Sequence, residues 1–301
     1  MRYLCIGFLL ICMSASGQKG SVKLLVDNGQ YAESEWCKQI AVTDDDRVII
    51  LNDFSNGLRF YSTETGELIN YFEGHSLEGD LYLDKGNSIL VTTGDKKIKI
   101  WDVSAQKLLK EIKQPFHSQF MKDVFIDSKR KYVFAQGTKY DYSSGQKVRS
   151  YTFNRMYFFK DDYFIFDKSS GSINQYSIYT DQLIKTYSIK NYKKGQSEFF
   201  NSDKGILFIE FTDGVHAIDI LTGDNEKIRF DRSETYSNIS VGSNFDFSED
   251  GNLLVASSNQ SEGHLVVLEK NSGEWKTKHF KKGKYQELVF LNHRINNKCF
   301  F

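Results

Sequence analysis

Ile98-Lys99-Ile100-Trp101-Asp102-Val103-Ser104-Ala105-Gln106-Lys107 is the stretch on which the fold of this chain is decided. An alternating run ends on a large aromatic residue and an acid, a small polar turn follows, and a second extended run begins. Alternation of period two marks a strand, and the turn residues mark a hairpin. The same arrangement recurs five more times. Leu58 to Ser62 leads to Thr65-Gly66-Glu67, and Lys139-Tyr140-Asp141 to Ser144-Gly145-Gln146. Asn174 to Ser177 leads to Thr180-Asp181-Gln182, His216 to Asp219 to Thr222-Gly223-Asp224, and Val266 to Glu269 to Ser272-Gly273-Glu274.

In every copy the turn residue lies five positions after the strand's large residue, and the large residues are 40, 39, 36, 42 and 50 positions apart. Gly occupies the turn position four times and Asp once, as a position needing positive φ or a tight reversal prefers. Upstream of these hairpins run further strand pairs: Tyr82-Leu83-Asp84 before Ile89 to Thr92, Phe125-Ile126 before Tyr132 to Phe134, Phe200 before Ile206 to Ile209, and Phe247 before Leu253 to Ala256. Each unit therefore holds four short strands, and a four-stranded unit repeating at roughly 40–45 residues is the signature of a propeller blade. Helical repeats of similar period would show apolar spacings of three and four instead.

With these residues in view, the chain resembles the WD-repeat family. Gly74-His75 precedes Trp101-Asp102 by 25 intervening residues, and Asp95 lies six before Trp101. The resemblance implies a network of His75, Asp95 and Trp101, with Asp102 following, that stiffens one blade. The family's hydroxyl residue falls four before the aspartate, where Val91 stands, and Thr93 of the same strand parity is the substitute. Tyr61, Tyr140, Tyr176, Ile218 and Leu268 replace the tryptophan in the other units, while Asp141 and Asp219 keep the acid. The expected fold is all-β: a seven-bladed β-propeller of four-stranded antiparallel blades. Six units span about 40–280, and Tyr285 to Leu291 with Asn297 to Phe301 supply two strands of a seventh. That last blade is short of strands and is closed by the N-terminal strand, Val22 to Val26, which also removes exposed sheet edges.

The first 17 residues read as a signal peptide: Arg2 supplies positive charge, Leu4 to Met13 is mostly apolar, and Ser14 to Gly17 are small. The apolar run is about ten residues, far below the roughly 20 of a membrane span. Residues 18–301 are then an exported domain, periplasmic or extracellular, with no integral membrane span once the leader is removed. Leader removal takes only Arg2 among the charged residues, leaving a balance of −1. Such a surface lacks the broad basic field that nucleic acids require. Cys37 and Cys299 remain, and export permits a disulfide between them.

No His-Glu-x-x-His, Gly-x-Ser-x-Gly or Cys-x-x-Cys motif occurs, and the six histidines are scattered. The reading is therefore non-enzymatic, with no metal or cofactor and no catalytic residue assigned. Asp44-Asp45-Asp46 offers oxygens to calcium but fits a solvated turn better. The lysines of Trp275 to Tyr285 fit a protected edge strand better than a polyanion site. The aromatic stretch from Tyr151 to Phe166 fits packing between blades better than an open binding surface. Asn259, Gln260 and Glu262 lengthen one hairpin, and an insertion on a repeat scaffold marks a contact loop. The expected role is a scaffold binding a protein or peptide. The alternatives are a carbohydrate- or small-molecule-binding module and a hydrolase or lyase using acids between blades.

Overall fold

The computed structural model describes residues 10–13, 23–24, 37–43, 45, 47–53, 57–75, 80–114, 124–151, 156–167, 169–189, 192, 198–202, 204–211, 214–228, 245–248, 251–258, 264–271, 274–282, 289–293 and 296–300. Two short strands come first, β1 (Leu10–Met13) and β2 (Lys23–Leu24). The first blade follows: β3 (Cys37–Val42), β4 (Val48–Asp53), β5 (Gly57–Ser62) and β6 (Leu68–Glu73). The second is β7 (Leu81–Asp84), β8 (Ile89–Gly94), β9 (Lys97–Asp102) and β10 (Lys107–Lys113). The third is β11 (Val124–Ile126), β12 (Tyr132–Ala135), β13 (Thr138–Asp141) and β14 (Lys147–Ser150).

The fourth is β15 (Tyr157–Phe159), β16 (Asp162–Asp167), β17 (Ser172–Ser177) and β18 (Leu183–Ser188). The fifth is β19 (Glu198–Asn201), β20 (Ile206–Phe211), β21 (Gly214–Asp219) and β22 (Asn225–Ile228). The sixth is β23 (Phe245–Phe247), β24 (Leu253–Ser258), β25 (His264–Asn271) and β26 (Glu274–Lys282). All pair antiparallel in chain order. The last two strands, β27 (Val289–His293) and β28 (Asn296–Phe300), join the chain's two ends in a further sheet of order β2-β1-β28-β27.

That sheet differs from the sequence expectation. β1, inside the segment read as a leader, lies directly against β28, with Ile11 opposite Cys299, and β2 lies outside it. The physical reason is the open edge of β28: its unpaired backbone groups take up the nearest apolar segment of extended form.

Adjacent blades share cores. Ile50, Leu58 and Phe60 of the first blade pack with Leu90 and Trp101 of the second. Ile89, Val91 and Ile98 of the second pack with Val133 and Tyr140 of the third, and Phe125 and Phe134 of the third with Phe158 and Tyr163 of the fourth. Phe164 and Ile173 pack with Leu207 and Ile218, and Phe208 and Ala217 with Leu254 and Leu268. β27 then lies against both β23 and β3, so the run of first strands returns to its start. Successive residues of a second strand point to opposite faces, and here both faces meet a neighbouring sheet. Leu90 faces one shared core while Ile89 and Val91 face the next. This is why the second strands read as continuous apolar runs.

The turn between third and fourth strands is built alike in five blades. Gly66, Gln106, Gly145, Asp181 and Gly223 all have positive φ, between 50° and 80°. The residue after each large one caps the turn: Asp102 Oδ1 accepts from Ala105 N at 2.7 Å, Asp141 Oδ1 from Ser144 N at 2.7 Å and Asp219 Oδ1 from Thr222 N at 2.9 Å. Ser62 Oγ and Ser177 Oγ do the same for Thr65 N and Thr180 N.

Each fourth strand in blades one, two, three, four and six carries a β-bulge opposite the large residue of the third strand. The extra residues are Ile69, Leu109, Val148, Ile184 and Lys278, whereas β22 pairs with β21 without interruption. A bulge twists an outer strand and blunts its readiness to pair with another chain.

Candidate functional site

The second blade carries the residues singled out by the sequence. His75 follows β6, and its Nε2 lies 3.0 Å from Thr92 Oγ1 on β8. Trp101 Nε1 donates to the same oxygen at 3.0 Å. An indole N–H only donates, so the Thr92 oxygen accepts from Trp101 and shares a further hydrogen bond with His75 Nε2. The hydroxyl of the network is thus Thr92, one residue from each position considered in the sequence. Val91 faces the core shared with the third blade. Thr93 Oγ1 accepts from Asp80 N at 2.9 Å.

Burial holds the His75 imidazole at about 4, helped by the positive charge of Lys99. Asp95, at φ 50° in the β8–β9 turn, pulls the other way through its charge and is outweighed. The ring is therefore neutral at pH 7. Trp101 stacks on Phe72 of β6 at 5.1 Å and 10°, tying the first blade to the second. Lys99 Nζ lies 5.7 Å from the centre of the Trp101 ring and donates to Gly74 O. Asp102 is placed at the turn, as its cap, at the far end of the strand.

A second constellation joins the third and fourth blades. Lys139 occupies the third-strand position filled by Phe60, Ile100 and Ala217 elsewhere, and only 2 % of it is exposed. Its ammonium donates to Ile178 O, lies 3.4 Å from Asp181 Oδ2 and sits 4.1 Å from the centre of the Tyr132 ring. Asp181 also accepts from Tyr151 OH at 2.7 Å and pairs with Arg149 at 3.3 Å. Burial lowers the Lys139 pKa and Asp181 opposes that shift, while burial and Asp181 raise the Tyr151 phenol. Sequence reading missed this site because Lys139 stands in a strand pattern where a lysine normally points to water.

Fourth-strand residues reach a neighbouring blade too. Lys110 donates to Ser143 O and Tyr187 OH to Ile220 O, while Trp275 Nε1 reaches Glu226 Oε1 at 3.0 Å. Asp45 accepts from Thr43 Oγ1 and Arg47 N, the bonds of a turn, while Asp44 and Asp46 lie outside the described residues. No group of three His, Cys, Asp or Glu suited to a metal occurs among the described residues. Asn259, Gln260 and Glu262 lie outside them, between β24 and β25. Tyr157, Phe158, Tyr163 and Phe164 are buried between blades, so this part of the aromatic stretch is core; Phe153 lies outside the described residues. No described helix is long and apolar enough to cross a membrane.

No family model matches this sequence, and no curated protein does. Solved structures do. Hydrazine synthase of Kuenenia stuttgartiensis aligns over 77 % of this chain and 76 % of its own, with a TM-score of 0.55 and 13 % identity. Hsv2 of Kluyveromyces lactis aligns over 85 % and 87 %, with a TM-score of 0.56 and 14 % identity. The computationally designed Ika8 protein aligns over 88 % and 83 %, with a TM-score of 0.54 and 16 % identity. Hydrazine synthase and Hsv2 are β-propeller-like, and identities this low speak to fold alone. The chain has a β-propeller-like, all-β fold of antiparallel four-stranded sheets.

Proposed function

We propose that this chain is an exported, seven-bladed propeller of the WD-repeat type that serves as a binding scaffold for a protein or peptide. The observation that carries the reading is the repeated tie between one blade and the next. Phe72 on Trp101, Lys110 on Ser143, Lys139 on Asp181 and Tyr187 on Ile220 recur at successive seams. A wheel stitched in this way holds its loops in fixed relative positions, which is what a recognition surface needs and lowers the ordering cost of binding. The His75–Thr92–Trp101 chain supports the WD-repeat resemblance, since it joins the loop, the second strand and the third strand of one blade. In this reading the seventh blade is built on β27 and β28, and once residues 1–17 are removed the segment of β2 takes the place on β28 that β1 holds in the full chain. The hairpin loop holding Asn259, Gln260 and Glu262 is the first contact surface to test.

The test has two arms. The protein recovered from its native cells should begin near Gln18 by mass spectrometry and reside in the envelope or outside the cell; a cytosolic protein retaining residues 1–17 overturns export. Cross-linking of the native protein should yield one reproducible partner, lost when Asn259, Gln260 and Glu262 are replaced by serine. Capture of a saccharide or small metabolite by the purified chain, with no such partner, would favour the alternative binding module.

A further inference from the structure

All the exposed large hydrophobic side chains among the described residues sit on fourth strands. They are Leu68, Ile69 and Tyr71 on β6, Leu108 and Leu109 on β10, Val148 on β14, and Leu183 and Ile184 on β18, each between 37 % and 54 % exposed. Four of them, Ile69, Leu109, Val148 and Ile184, are the extra residues of the bulges. The bulge prevents strand-to-strand pairing there while still offering an aliphatic side chain to the outside. The rim is therefore suited to contact through side chains rather than through backbone hydrogen bonds.

Charge differs sharply between two neighbouring rims. Around the apolar residues of β6 stand exposed Glu64, Glu67 and Glu73, with no Lys or Arg from 64 to 73. Around those of β10 stand Lys107, Lys110 and Lys113 against the single acid Glu111, which is paired with Lys97 at 3.0 Å. The two strands belong to successive blades, and Phe72 of β6 stacks on Trp101 beside β10.

We propose that two copies of this chain associate about a two-fold axis, the acidic rim of the first blade in one copy meeting the basic rim of the second blade in the other. Adjacent patches of opposite sign are self-complementary under such an axis, because the same rotation makes both contacts at once. Leu68, Ile69, Leu108 and Leu109 supply the apolar centre, and the charges ring it. An anionic bilayer would attract the second rim but be repelled by Glu64, Glu67 and Glu73. A second copy satisfies both rims. The formal charge of zero adds no overall repulsion between copies. This inference does not depend on export or on the contact loop.

Sedimentation velocity on the purified chain, up to high micromolar concentration, tests it. The expected result is a reversible dimer that weakens about tenfold or more as salt screens the rim charges. One variant carries Glu64→Lys, Glu67→Lys and Glu73→Lys, and another Lys107→Glu and Lys113→Glu; Lys110 is kept because it ties two blades together. Each variant alone should sediment as a monomer, and an equimolar mixture should dimerise. Ile69→Ser with Leu109→Ser should weaken the dimer without changing the melting midpoint measured at a dilution where the wild type is monomeric. A wild-type chain that stays monomeric throughout, charge variants that dimerise like wild type, or a mixture that fails to restore the dimer overturns the proposal. If a charge variant melts early, Glu67→Gln and Lys107→Gln replace it, and an unchanged dimer in both is again a refutation.

Discussion

At the scale of the residue, the buried polar groups of this molecule are placed where a missing partner is costly. Thr92 is fully buried and serves both His75 and Trp101. Thr92→Val should cost about 1–3 kcal/mol by chemical denaturation, with Thr92→Ser losing clearly less, because the valine leaves an indole N–H with no acceptor. His75 adds a pH dependence of defined sign. Its folded-state value of about 4 lies below the ordinary 6.5, so the unfolded chain takes up the proton first as pH falls. The stability it protects is complete above pH 6.5 and is lost on the way down to pH 4, an amount on the order of 3 kcal/mol. His75→Gln should flatten the fall in melting midpoint over that window. Lys139 provides a contrast. Asp181→Asn leaves its buried ammonium without a counter-charge and should cost about 3–5 kcal/mol, while Lys139→Met, which leaves Asp181 its Arg149 and Tyr151 partners, should cost clearly less, as measured by denaturant midpoints.

At the scale of the element, the repeating turn shows how backbone conformation selects residue type. Gly223 has φ +80°, and a Cβ there would lie 3.1 Å from the Tyr187 ring of the preceding blade. Gly223→Ala should therefore destabilise by about 1–2 kcal/mol, from the left-handed backbone alone. Gln106 takes the same left-handed conformation, at φ 52°, without being glycine. Gln106→Gly should leave the fold intact and raise stability by up to about 1 kcal/mol, read from the melting midpoint. The fourth strands are also legible as elements but not in register. Polar and charged residues, with a lysine in every fourth strand except β6, mark an outer position, yet nothing in Leu68-Ile69 or Leu183-Ile184 announces the bulge. The bulge arises from the pairing of two twisted strands next to a large third-strand side chain, a property of the pair and not of either sequence.

At the scale of the whole molecule, closure depends on the two ends of the chain. β27 contacts both β23 and β3, and β28 is covered by β1. Deleting residues 1–24 removes both β1 and β2, whereas deleting residues 1–17 leaves β2 to take the β28 edge, so the melting midpoint of the first chain should fall well below that of the second. Equal midpoints would show that the closing sheet holds without its N-terminal strands. The number of strands per unit and their order were readable from the spacing of large residue and turn, because hairpins between consecutive strands are local. The partner of β28 was not. The sequence pointed to Val22 to Val26, whereas β1 takes the inner place and β2 the outer one.

What the amino-acid sequence determined by itself is the repeat. Period-two alternation, the turn five residues beyond each large side chain and the apolar second strands all follow from forces acting within some forty residues, and those forces specify a four-stranded sheet. What only the tertiary structure decided is which side chains meet, within a blade and across a seam. Thr92 rather than Val91 or Thr93 meets His75 and Trp101, and Lys139 is buried against Asp181 of the next blade. Twist between strands sets which side chain of a pair points into which seam, and that rotation accumulates over distances no single repeat encodes.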